Sequence, residues 1–191
     1  MRLAAILSLG LLASPAQAEL IASTDSGFVI QHAADISADR ADVWNMLIAP
    51  ARWWSSAHTY SGTAENLYLD AQATGCFCEK LPRPADAPET QRMGSVEHMH
   101  VVYADPQRGV LRMTGGLGPL QSEAVSGVMT ITLRQEGEGT RLTMRYAVGG
   151  VWQGKPGELG PLVDRVLGEQ VQRLAARFAS QDASGEAVSK P

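Results

Sequence analysis

Cysteine is scarce, with two among 191 residues. That number cannot build the disulfide framework of small secreted domains, so the core must come from apolar packing. A strong excess of either charge is also lacking. Sixteen basic and twenty acidic side chains give a formal net charge of −4, with no basic run and no basic–aromatic stripe. A nucleic-acid partner is excluded on that ground. No G-x-S-x-G elbow is present, and Gly115-Gly116-x-Gly118 lacks a following helix, so neither a serine hydrolase nor a phosphate loop is expected. No internal repeat is visible, and no apolar run reaches membrane-spanning length.

The one long apolar stretch lies at the start. Arg2 precedes Leu3–Ala13, Ser14-Pro15 breaks the run, and Ala16-Gln17-Ala18 is an A-x-A cleavage pattern. This reads as a secretory signal peptide over 1–18, with a mature chain beginning near Glu19. A secreted or periplasmic protein without stable membrane insertion is expected, in an oxidising compartment where a cysteine pair can be bridged or metal-bound. Residues 19–26 read as a flexible leader, 27–180 as one domain, and 181–191 as a disordered tail.

Within the domain the hydrophobic period alternates between two and 3.6. Phe28–Ile36 reads as a strand. Ser37 is placed to cap a helix that carries Val43, Trp44, Leu47 and Ile48 on one side and stops at Pro50. Short strands then follow one another at 66–71, 75–81, 95–103 and 110–114. The hairpin 124–135/140–148 turns at Gly137-Glu138-Gly139. Pro161 suits the first position of a final helix, whose stripe is Leu162, Val163, Val166, Leu167, Val171, Leu174 and Phe178. The only partner for that stripe is the inner face of the antiparallel sheet. The expected fold is α+β: a curved sheet of six to seven strands wrapped around a long C-terminal helix, with short helices after the first strand.

Two segments carry a family likeness. ADISADRADVWNML followed by PARWW resembles the opening of the START-like, helix-grip superfamily (SRPBCC). GCFCE and VVYADPQRGVLR resemble strands of its polyketide cyclase/dehydrase-like members. The resemblance covers about 27–179 and rests on packing motifs. It implies a cavity for lipids, steroids, polyketides or other apolar molecules, where some members also catalyse cyclisation, dehydration or hydrolysis. The secretory signal departs from the many cytosolic members.

The chemistry-bearing residues cluster on two predicted strands. Cys76 and Cys78 are two apart, about 6.6–6.8 Å between Cα atoms in a regular strand, at the upper limit for a disulfide. A bridge there needs strain or a bulge. They read as a buried pair, a labile disulfide or metal ligands. His98 and His100 repeat the spacing, so Cys76, Cys78, His98 and His100 form a possible Cys₂His₂ metal set if all four share a face. Glu79, two residues after Phe77, competes with that reading. If Phe77 faces the cavity so does Glu79, which could then act with His98 as acid and base, while the thiols face away. That second register, without metal or other cofactor, is the expected one. Trp53, Trp54 and Trp152 lie in turns where they could rim a pocket, and Phe77, Met99, Met113, Met129 and Tyr146 could line it. The leading function is binding of a small apolar or amphipathic molecule. The alternatives are a cyclase-, dehydrase- or hydrolase-like enzyme and a metal-binding module.

Overall fold

The computed structural model describes residues 18–185. Eight strands form one antiparallel sheet: β1 (Ala18–Thr24), β2 (Gly27–Ile36), β3 (Leu67–Leu69), β4 (Cys76–Leu81), β5 (Gly94–Asp105), β6 (Val110–Thr114), β7 (Ala124–Glu136) and β8 (Gly139–Val151). Their spatial order is β1-β2-β8-β7-β6-β5-β4-β3. Two α-helices accompany them, α1 (Arg40–Leu47) and α2 (Pro156–Gly185). The hairpin β7–β8 pairs without interruption from Ala124↔Val151 to Glu136↔Gly139, and alternate residues enter the core from Gly127 to Leu133 and from Thr140 to Val148. This is the helix-grip arrangement, a curved sheet closed over a long terminal helix.

Four expectations change. The stretch read as a leader supplies β1, which pairs with the outer edge of β2 and raises the strand count to eight. An open sheet edge accepts any extended neighbour with free amides and carbonyls, whatever its polarity. Helix α1 takes Asp39, not Ser37, as its N-terminal flanking residue. Helix α2 begins at Pro156, so Pro161 lies inside it. Pro156 suits the first helical position, where the amide has no intrahelical acceptor to lose, whereas Pro161 lies in the second turn and gives up one backbone bond there. The helix also runs to Gly185, past the expected start of the tail. The proposed signal peptide falls almost wholly outside the described residues.

The apolar stripe of α2 divides. Val163, Leu167, Val171, Leu174 and Phe178 are buried in the core, whereas Leu162 is 51% exposed and Val166 half-buried. Helix and β2 approach closely at Gly168, where a Cβ would come within 2.8 Å of the His32 ring. The interior is filled. Trp53 and Trp54 pack at 5.4 Å between ring centroids, and Trp54 meets Phe77 edge-on at 5.1 Å. These rings, with Met113, Met129 and Met144, leave a void of only about 20 Å³. A water-sized guest is the most such a space admits.

Strand β5 carries the feature that shapes the site. Phe77 pairs with Met99 but Cys78 pairs with Glu97, so His98 is an extra residue on β5. A second irregularity places Val102 between Val101↔Met113 and Tyr103↔Arg112. Each bulge switches which residues of the strand face inward and bends the sheet locally.

Candidate functional site

Bulging at His98 turns two consecutive side chains, His98 and Met99, toward the interior, where both are buried. Strict alternation would have put His98 and His100 on one face. They lie on opposite faces instead, and the Cys76, Cys78, His98, His100 set does not converge. Phe77 and Glu79 point inward, and the thiols lie on the other face, joined as a disulfide with Cα atoms 5.4 Å apart. The register shift falls between Phe77 and Cys78, at the place where a regular strand would hold the cysteines too far apart.

Glu79 is wholly buried. Its carboxylate accepts hydrogen bonds from the backbone amides of Tyr60 (3.0 Å) and Ser61 and from His98 Nε2 at 2.9 Å. Burial works to raise the Glu79 carboxyl. The bonds from Ser61, Tyr60 and His98 outweigh it and hold the group below its ordinary range. Burial pushes the His98 imidazole down, only partly offset by the Glu79 bond and charge. The pair at neutral pH is therefore an ionised carboxylate and a neutral imidazole. A carboxylate only accepts, so Nε2 carries the ring proton and Nδ1 is left as the basic nitrogen.

His98 forms part of the wall of a cleft of about 460 Å³. The other walls are Leu159, Leu162, Val163, Val166 and Leu167 of α2, the Trp54–Tyr60 segment, and Leu117–Pro119. Leu162 and Val166, the exposed and half-buried members of the stripe, thus face the cleft beside the buried Val163 and Leu167. Three polar contacts fix the Trp53–His58 segment to α2: Ser55 N–H to Gln170 Oε1 (2.8 Å), Arg173 Nε–H to the Trp53 carbonyl (3.0 Å), and His58 Nε2 to Glu169 Oε2 (3.0 Å). The His58 bond holds the Glu169 carboxyl below its ordinary range. Across the mouth, the Tyr60 hydroxyl donates to the Gly118 carbonyl at 3.0 Å.

The residues expected to touch a ligand separate into groups. Trp54 and His98 line the cleft. Trp53, Phe77, Met113 and Met129 surround the small inner void, and Met99 is packed core. Tyr146 is also internal. Its hydroxyl donates to the Gly115 carbonyl (2.8 Å), accepts from the Leu117 amide (3.3 Å), and burial pushes it up to about 12. It therefore anchors the glycine-rich loop that supplies one wall. Trp152 is not among the residues that line the cleft. It packs on Phe28 at 5.8 Å and donates from Nε1 to the Ser26 carbonyl. The sequence alone did not assign His58 or Tyr60 to the site. Nothing local marks the amides of Tyr60 and Ser61 as carboxylate ligands.

No family model matches the chain, and no curated protein matches it. Solved structures do. Ara h 8.0201 is 9% identical, with 80% of this chain and 97% of that one covered at a TM-score of 0.52. A Rhodobacter sphaeroides protein is 14% identical over 86% and 99%, with a TM-score of 0.51. DynU16, from the dynemicin biosynthetic locus, is 16% identical over 83% of this chain and 49% of its own, with a TM-score of 0.52. At these identities the likeness is one of fold.

Proposed function

We propose that this protein is a START-like binding protein for a small apolar or amphipathic molecule, held between α2 and the Trp54–Tyr60 segment. The supporting observation is the 460 Å³ cleft, apolar on most of its walls, with one buried imidazole in its lining. Pockets of that volume and character suit a molecule with an apolar body and one polar group. The A-x-A pattern at Ala16–Ala18 supports action outside the cytoplasm. Titration with dodecanoic acid, followed by displacement of 1-anilinonaphthalene-8-sulfonate, tests the reading. Saturable displacement is expected. Val166→Trp, which fills the cleft from a half-buried position, is expected to weaken it about tenfold or more. Equal binding by the variant overturns the assignment.

A second reading is favoured by one observation, the 2.9 Å bond from His98 to a buried carboxylate. A neutral imidazole oriented this way is a general base. In hydrolysis it would take a proton from water on Nδ1 as the water attacks an acyl carbon, with Glu79 stabilising the imidazolium. The acyl–oxygen bond then breaks, the alcohol or phenolate leaves, and the imidazolium returns its proton to that oxygen or to water. Turnover of p-nitrophenyl hexanoate is then expected to fall on the order of a hundredfold in His98→Ala. Its rate is expected to fall with acidification as His98 protonates. Equal turnover by His98→Ala eliminates this reading and leaves the binding role intact.

A further inference from the structure

The Cys76–Cys78 bridge lies on the opposite face from the cleft, on β4 where it pairs with β5. Its loop encloses one residue, Phe77, so the bridge restricts the unfolded chain far less than a long-range disulfide does. Its cross-strand neighbours are chemically distinctive. Cys76 pairs with His100 and Cys78 with Glu97. The two Sγ atoms and a Glu97 carboxylate oxygen all lie within 4.8 Å of one another. His100 Nδ1 is 3.7 Å from Glu97 Oε1, with both side chains about half exposed and able to adjust.

We propose that reduction of this disulfide opens a binding site for a thiophilic divalent cation, zinc in the first instance, formed by Cys76, Cys78, Glu97 and His100. Two sulfurs, an imidazole and a carboxylate make a sound tetrahedral zinc set. The bulge at His98 assembles it, because it leaves Glu97 and His100 together on the face of the thiols. Opening requires two electrons and two protons from an external dithiol. A donor thiolate attacks one sulfur, the S–S bond breaks, the mixed disulfide resolves to the donor's own disulfide, and two protein thiols remain. Zinc then displaces both thiol protons and binds the thiolates. Reoxidation by an external disulfide reverses the exchange and expels the metal.

The full mature chain tests this, with a phosphine replacing the dithiol as electron donor. Zinc per chain is counted by native mass spectrometry and affinity measured against a colorimetric chelator. One zinc per reduced chain and none per oxidised chain is expected. Glu97→Ala and His100→Ala, at an exposed and a half-buried position, are expected to keep the native circular dichroism and lose about tenfold or more in affinity. Cys78→Ser is expected to lose more. A folded, reduced chain that binds no stoichiometric zinc overturns the proposal, as does unchanged affinity in both alanine variants.

Discussion

Leu174→Asp is expected to abolish cooperative folding at 25 °C. Leu174 is 1% exposed, among the buried residues of α2 that the sheet covers. The substitution removes an aliphatic side chain worth about 2–5 kcal/mol when truncated. It also places a carboxylate where no partner charge is built, a further cost of several kcal/mol. Domains of this kind have only about 5–15 kcal/mol in hand. Loss of the near-ultraviolet circular dichroism of the four tryptophans, with no sigmoidal urea transition, is the expected readout. A variant that unfolds cooperatively near the parent midpoint contradicts the packing described for α2.

Glu79→Ala is expected to cost about 2–4 kcal/mol, because the part-buried amides of Tyr60 and Ser61 and the buried His98 ring lose their acceptor together. Urea midpoints at neutral pH measure it. The same network makes the protein acid-sensitive. The His98 pKa is depressed from 6.5 on folding, so its contribution is complete above about pH 6.5 and is lost as pH falls through the folded value. The Glu79 pKa is depressed from 4.5, so its contribution is complete above about pH 4.5 and is lost below that in the same way. The parent is therefore expected to weaken in two stages on acidification. In Glu79→Ala the lower stage shrinks, and what remains comes from other depressed carboxyls such as Glu169. A parent whose stability does not change between about pH 7 and 4 contradicts the assigned protonation states.

Much of the architecture was legible in period and punctuation. The β7–β8 hairpin follows from alternation on both sides of Gly137-Glu138-Gly139, and the α2 stripe from helical spacing. Phe77 and Glu79 were placed inward by the two-residue repeat, and they are inward. What was not legible depends on contacts between distant segments. Nothing in SVEHMH marks an extra residue, because a bulge is decided by how β5 meets β4. Strict alternation therefore put His98 and His100 on the same face. Nothing near Trp152 shows that Ser26 takes its indole proton, or that the tryptophan is not among the residues lining the cleft. The methionines could equally have lined a cavity or filled one. That choice depends on the summed volume of the inner face, where Trp53, Trp54 and Phe77 take the space.

The bulge at His98 also has a meaning in terms of insertion and deletion. Removing one codon between Glu97 and Met99 would restore plain alternation without altering any other residue. It would delete the partner of Glu79 while leaving Glu97 and His100 as immediate outward neighbours of the bridge. The reverse event, one inserted residue in an ordinary strand, is enough to furnish the cleft with an imidazole and leave the back of the same strand unchanged. A single length change, rather than a series of substitutions, therefore separates a passive wall from one that carries a polar group.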